Sequence, residues 1–397
     1  MKIIFKRVAF TVIAVLLPFV AANEVIRWVW FNNYFLNRIL RRDDWDLCVS
    51  LRRNLHARLP VGALAPKAWK GKNAFWELNT NSQGIRAQEP VGPKGKGVFR
   101  IICIGDSITF GLDVDDRFTY PSQLEQILNQ LPESAGKKIE VINAGVPTYT
   151  TRQGLIYLDE RLLQFQPDLV IAAFGGNDAR PISATFFSRT DQQFMKGDTN
   201  AGFGKLYQSP FNWIYFEFHN QPLIVALKQT YVRLIGTARL NAPVDKAGYK
   251  KESDKNPSLS SPVFQRVRVP PQDLIDNLDQ MAELANKNGF RMMFYIPYLV
   301  HPMYRFWILE KAKEKNIPVA DFSTKFWEYQ FSDLLADPTY AQLLSPYQQS
   351  LGDNFLAGNP QYLLTTDGSH PNNVGDRIVA EEIARTIIAS RLLDSGK

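Results

Sequence analysis

Cysteine and histidine are the scarce side chains here: two and four, respectively, in 397 residues. Two thiols cannot build a zinc cluster or a disulfide framework, and at most one bridge could join them. Cys103 lies inside the apolar run "RIICIG" and reads as a small core residue rather than a reactive thiol, while Cys48 follows the polar "RRDDWDL". With so few histidines, a general base working near neutral pH must come from His56, His219, His301 or His370. Concentrated charge is also lacking. The net charge of +7 is spread along the chain, which gives weak attraction to anionic surfaces but no basic stripe or motif of a nucleic-acid reader. Nucleic acid is therefore not an expected partner. The glycine-rich "GPKGKG" at 92–97 precedes a strand instead of following one, so it reads as a basic linker and not a phosphate loop. The acidic "LDVDD" at 112–116 lacks the glycine and the distal glutamate of a calcium loop. No metal and no cofactor are expected.

What the chain does have is material for a core, with 45% hydrophobic residues against 21% charged. Its length suits one large domain or two ordinary ones. The start is basic, with Lys2, Lys6 and Arg7, and the run "VAFTVIAVLLPFVAA" at 8–22 carries no charge. Val20 and Ala22 stand where a small-residue cleavage site would need them. This run is shorter than the roughly 18–20 apolar residues that span a bilayer. Beyond it come Trp28, Trp30, Phe31, Tyr34 and Phe35, an aromatic set suited to a membrane interface. A cleaved signal peptide and an uncleaved anchor both fit residues 1–42. Either way the chain is expected to be exported, periplasmic or otherwise extracytoplasmic, and held at the inner membrane by this segment.

Residues 43–97 read as an irregular N-terminal extension punctuated by Pro60, Pro66, Pro90 and Pro93. Within it, "FWELNTNSQGIR" predicts a short strand and a turn at Gly84. From 98 to 395, strand and helix signals alternate. The strand runs are "FRIICI", "IEVINAG", "PDLVIAAFGGND", "RMMFYIP" and "IPVAD". The helical runs are "YPSQLEQILNQL", "QGLIYLDERLLQF", "PQDLIDNLDQMAELANKNG", "YRFWILEKAKEKN" and a final stretch over 374–392. Such alternation predicts a parallel sheet covered on both faces, with ligands at the carboxyl ends of its strands. Two long inserts, at about 179–270 and 322–364, interrupt the pattern. Connections of that length serve as lids or pack as extra core.

Polar residues gather at the predicted strand ends. The first strand stops at Gly105-Asp106-Ser107, the second at "NAG" with Gly145, and the third at "GGND" with Asn177. A serine in that place is either a turn residue or a nucleophile, and a nucleophile needs a base. His370 lies in the polar "TTDGSHPNN", three residues after Asp367. That spacing lets the carboxylate reach back to one ring nitrogen and leave the other to take a proton. His301, after a strand in "YIPYLVHPMY", is the alternative base, and His219 lies in an aromatic insert. Acyl transfer also needs donors aimed at the developing oxyanion. The Ser107 N–H, Gly145 and the Asn177 amide are placed to supply them, or else are an ordinary turn glycine and capping asparagine. Asp106 reads as bonding backbone in its own turn, and Asp178 as structural.

Together, "GDS" at 105–107, "NAG" with Gly145, "GGND" with Gly175 and Asn177, and "DGSHPN" with Asp367 and His370 resemble the SGNH hydrolases, also called GDSL esterases and lipases, in family order. The resemblance implies a flavodoxin-like, three-layer α/β fold. It implies Ser107 as nucleophile, His370 as base, Asp367 as orienter, and Ser107 N–H, Gly145 and Asn177 as the oxyanion hole. The N-terminal hydrophobic segment and the "LNTNSQGIR" strand resemble the exported bacterial branch, whereas the long insert after Asn177 departs from minimal members. The implied function is a serine hydrolase of O-acyl esters, acting through an acyl-enzyme on a small acylated molecule, an envelope glycan or a lipid, with membrane contact through the N-terminal segment. The same residues would serve an O-acyltransferase, and an inactive membrane-tethered binding or scaffold protein could use the same fold.

Overall fold

Each of the apolar runs after residue 98 becomes a strand of one parallel sheet. The computed structural model describes residues 14, 18–22, 41–44, 47–60, 75–134, 136–180, 191, 267–298, 300–323, 329, 331–343 and 370–394. The five strands are β5 (Val98–Gly105), β6 (Lys138–Gly145), β7 (Leu169–Ala173), β8 (Arg291–Ile296) and β9 (Val319–Asp321), in the spatial order β6-β5-β7-β8-β9. This is the doubly wound, flavodoxin-like order, in which the chain leaves β5 in one direction and returns on its other side. All pairings are parallel, and Gly105 lies level with both Gly145 and Ala173. Three polar loops therefore leave the sheet side by side.

Side-chain alternation divides the core in two. Phe99, Ile101 and Cys103 of β5 face a cluster with Leu124 and Leu128 of α2 (Tyr120–Gln130) and Ile378, Ile383 and Ile387 of α7 (Asn373–Ala389). Ile102 and Ile104 face the opposite cluster. It contains Leu155 of α3 (Thr151–Tyr157), Leu278 of α4 (Pro271–Asn288) and Trp307 of α5 (Pro302–Lys315). Each fully buried Leu or Ile contributes about 1.5–3 kcal/mol through removal from water. The expected three layers follow from this arrangement. Helices α2, α4, α5 and α7 lie where their sequence periodicity predicts them. The run "QGLIYLDERLLQF" differs, because α3 passes into a single π turn at Leu158–Leu162 and a short 3-10 turn at Leu163–Phe165.

The N-terminal extension is more ordered than its prolines suggest. Strands β1 (Arg41–Asp44) and β2 (Cys48–Leu51) form one antiparallel ladder, and β3 (Leu55–Pro60) and β4 (Phe75–Thr80) form another. Buried Trp76 and Leu78 flank exposed Glu77 on β4, the period of a half-buried strand. Trp76, Leu78, Ile85, Leu47 and Leu51 join the same hydrophobic cluster as Ile102 and Ile104. The turn expected at Gly84 is present, with φ at +77°. Most of both inserts, and nearly all of residues 1–42, lie outside the described residues; α6 (Phe331–Ala336) belongs to the second insert. Among the described residues, no helix is long and apolar enough to cross a membrane.

Gly105 is where β5, β7 and the next turn crowd together. A Cβ there would stand 2.1 Å from Thr109 Oγ1 and 2.8 Å from the Ala173 carbonyl. The Ala173 oxygen belongs to a buried strand and cannot retreat. Gly105→Ala should therefore lower stability by about 1–3 kcal/mol, the usual cost of overpacking. Urea denaturation followed by circular dichroism measures this; an unchanged midpoint would refute the crowding.

Candidate active site

Directly after β5, Asp106 caps a four-residue helix, α1 (Ser107–Phe110). Its Oδ1 accepts the Ile108 N–H at 2.9 Å, which satisfies one of the amides a helix start leaves unpaired. Gly111 closes the helix with φ at +77°, and its N–H returns to the Ser107 carbonyl at 3.1 Å. Ser107 is thereby presented, half-buried, at the carboxyl end of the sheet. Gly145 lets β6 approach this helix closely, since a Cβ at that position would lie 2.2 Å from the Phe110 amide nitrogen.

His370 arrives from the other end of the chain. It stands just before α7, whose start is capped by buried Asn372; the Asn372 Oδ1 accepts the N–H groups of Val374 at 3.0 Å and Gly375 at 3.1 Å. The cap fixes where the preceding loop leaves the helix. His370 Nε2 comes to 2.9 Å from Ser107 Oγ, across 263 residues of sequence. Asp367 lies outside the described residues. The alternative base is occupied elsewhere: His301 Nδ1 accepts the Met303 N–H at 3.2 Å as the cap of α5, and burial holds its pKa below the ordinary value. His219 lies outside the described residues, and His56 Nδ1 pairs with Asn79 Oδ1 on the extension.

Two of the three expected oxyanion donors, Gly145 and Asn177, are held by partners within the protein. The Gly145 N–H donates to Asn143 Oδ1 at 3.1 Å. Asn177 donates through Nδ2 to Asp106 Oδ2 at 2.8 Å and to the Tyr149 carbonyl at 3.2 Å. Asp106 thus bonds backbone, as expected from its turn, and also orients Asn177, a contact the sequence does not announce. Burial pushes the Asp106 carboxyl above its ordinary pKa, and the Ile108 N–H and the charge of His370 pull the other way. Cys103 is buried behind the site, its thiol pushed up to about 12 by burial, which keeps it a core residue. Among the described residues, no group of three or more His, Cys, Asp and Glu could hold a metal.

A second network sets the loop after β6. Arg268 donates to the Thr148 carbonyl at 2.7 Å, to Gln153 Oε1 at 3.1 Å and to Asp191 Oδ2 at 2.7 Å, and Thr150 Oγ1 donates to the same carboxylate at 2.9 Å. Asp191 and Arg268 belong to the first insert, and no local pattern marks them. Asp178 ties the third strand's loop to α3, accepting the Thr151 N–H at 3.0 Å and the Gly175 N–H at 3.1 Å. It is structural, as its position suggested.

Residues 103–249 match the model of the GDSL-like lipase/acylhydrolase family. That match covers less than half of the chain and ends before His370, which geometry alone brings to the serine. The chain is 33% identical over 88 residues to an acetylxylan esterase of Xylanibacter ruminicola, a stretch covering 21% of this chain and 17% of that protein. It is 33% identical over 79 residues to an arylesterase of Vibrio mimicus, covering 20% of this chain and 38% of that one. The matched segments thus span well under two thirds of either relative. Among solved structures, the psychrotrophic esterase EstA from Pseudoalteromonas sp. is 13% identical with a TM-score of 0.37, over 74% of this chain and 99% of that one. A likeness at that score carries no argument about function.

Burial pushes the Asp178 carboxyl up to about 6, against the pull of its hydrogen bonds from Thr151. Its folded value lies above its unfolded one, so its contribution to stability is full below about pH 4 and is lost as pH rises through about 6. Asp178→Asn removes that slope. The stability difference between wild type and variant should favour the wild type more at pH 4 than at pH 7, by up to about 3 kcal/mol. Denaturant titrations across this range measure it, and a pH-independent difference would refute the assignment.

Proposed function

We propose that this protein is a serine hydrolase of O-acyl esters, with Ser107 as nucleophile, His370 as general base and Asp367 as the carboxylate that orients His370. The observation that carries the reading is the 2.9 Å contact between His370 Nε2 and Ser107 Oγ. A base at hydrogen-bond distance from a serine hydroxyl is the arrangement that activates it. Ser107 Oγ attacks the ester carbonyl carbon while its proton passes to His370 Nε2. The tetrahedral intermediate expels the alcohol, which takes the proton from His370, and leaves an acyl-enzyme. Water then repeats the attack, His370 again accepting the proton, and as the second intermediate collapses His370 returns that proton to Ser107 Oγ while the carboxylic acid departs. The oxyanion is met by the Ser107 N–H, Gly145 and the Asn177 amide, for which it competes with the Asp106 carboxylate and Asn143 Oδ1.

The substrate class we favour is an acetylated glycan of the cell envelope. The matched segment of a protein named acetylxylan esterase supports an acetylated polysaccharide, and the basic, apolar N-terminal pattern supports export to where such glycans lie. Membrane tethering through that segment belongs to the same proposal.

Ser107→Ala should reduce p-nitrophenyl acetate hydrolysis by about four orders of magnitude or more without changing the unfolding midpoint. His370→Ala should cost a similar factor, and His301→Ala little. Loss of activity in His301→Ala with activity kept in His370→Ala would overturn the base assignment. A fluorophosphonate probe should label wild-type protein at Ser107, and absence of labelling in folded protein would end the hydrolase reading.

Acetylated xylo-oligosaccharides should release free acetate at a rate insensitive to added unacetylated acceptor. Transfer of acetyl to the acceptor would instead mark the enzyme as a transferase. Preference for long-chain esters over acetates would overturn the glycan assignment.

A further inference from the structure

We propose that Arg86, on the N-terminal extension, is a positioning residue for the nucleophile: its buried guanidinium clamps the far end of the helix that carries Ser107. This rests on the ester-hydrolase reading above. Helix α1 is four residues long, far below the length at which a helix holds itself, and its last carbonyls have no partners within it. The Gly111 and Leu112 N–H groups meet the Ser107 and Ile108 carbonyls, and Arg86 supplies a partner to the final one, Phe110. Arg86 is 4% exposed, and its Nη1 donates to the Phe110 and Gly111 carbonyls, the latter at 2.5 Å. Its Nη2 donates to the Val114 carbonyl, and its Nε to Asp116 Oδ1 at 2.8 Å. The cationic plane lies 4.5 Å from the Phe110 ring centroid and 5.5 Å from that of Trp76. One rigid fork thus grips the helix end and the whole following loop, which lysine's single ammonium cannot do.

The same carbonyl links the clamp to the second half of the site. Asn143 Nδ2 donates to the Phe110 oxygen at 3.3 Å, and Asn143 Oδ1 accepts the Gly145 N–H at 3.1 Å. Since β6 packs against the Phe110 amide with no room for a Cβ at Gly145, a shift of Phe110 disturbs both Ser107 and the Gly145 peptide. The extension reinforces the grip. Asn79 Nδ2 donates to Asp116 Oδ2 at 2.6 Å, and the Glu77 N–H donates to Asp115 Oδ1 at 2.5 Å. The acidic loop that falls short of a calcium site is thus the receiving half of a latch. A misplacement of about 1 Å at the reacting atoms costs roughly a hundredfold in rate, so the clamp should be read in kcat.

The test compares full-length wild type, Arg86→Ala, Arg86→Lys and Asp116→Asn, each assayed with p-nitrophenyl acetate well below its own unfolding midpoint. In Arg86→Ala, kcat should fall about a hundredfold with little change in KM. Arg86→Lys should recover only part of the loss. Added ethylguanidinium should raise kcat of Arg86→Ala, while sodium chloride at equal ionic strength should not. Hydrogen exchange of residues 105–116 should quicken in the same variant. An Arg86 that only docks the extension would lower the midpoint and leave kcat below it unchanged, and that result overturns the proposal. If Arg86→Ala does not fold, Asp116→Asn decides: unchanged kcat and exchange refute the clamp. A wild type that labels with fluorophosphonate at no residue defeats the hydrolase reading, whereas normal labelling with a kcat indifferent to Arg86 defeats only this one.

Discussion

The close approach of the Ser107 helix to the carboxyl ends of β6 and β7 is the constraint on which the site depends. Gly105, Gly145 and Ala173 lie level in the parallel register, and two of the three lack a side chain where backbone must meet backbone. With a Cβ at Gly145 the strand could not reach the Phe110 amide, and with one at Gly105 the chain could not turn from β5 into the helix. A parallel sheet buried on both faces supplies the rigidity. The polar loops then need only short connections to converge on a single hydroxyl.

Around that hydroxyl the ionisable groups divide into those that hold loops and one whose ring nitrogen meets the serine itself. Asp106, Asp178 and Asp376 are all buried, and burial raises each carboxyl above its ordinary pKa. Asp106 and Asp178 spend their oxygens on backbone N–H groups and on Asn177 or Thr151, so their task is to fix loops. Asp376 lies inside the start of α7, where the charge of Arg86 and the Tyr120 N–H oppose the cost of burial. His370 is different in kind. It is half-buried, and one ring nitrogen faces a serine hydroxyl rather than an amide. His301 shows the contrast, since a histidine after a strand can equally serve as a helix cap.

Much of this was legible in the linear chain, and for a reason that differs between parts. The five strands were visible because a strand buried on both faces must be a continuous apolar run. The helices were visible because one buried face repeats at helical spacing. Ser107, Gly145 and Asn177 could be singled out because strand ends are where such sheets place polar loops, and His370 because histidines are few and it lies in a polar loop three residues after Asp367. The extension was less legible: β4 was expected from "FWELNT", but β1, β2 and β3 are only four to six residues long and the prolines around them are stronger local signals. Asn143 and Arg86 stand inside the noticed "NAG" and "LNTNSQGIR", but their contacts, like the Asp191–Arg268 pair, were not legible, because a bond to a distant segment leaves no mark on neighbouring residues.

The amino-acid sequence by itself determined which segments become sheet and helix, and which few side chains have the chemistry for acyl transfer, since both follow from local periodicity and residue type. Only the tertiary structure decided which histidine meets Ser107, that Asn177 bonds to Asp106, and that an arginine from the N-terminal extension bonds to the end of the Ser107 helix. Those are contacts between segments far apart along the chain, and their existence depends on how the layers pack.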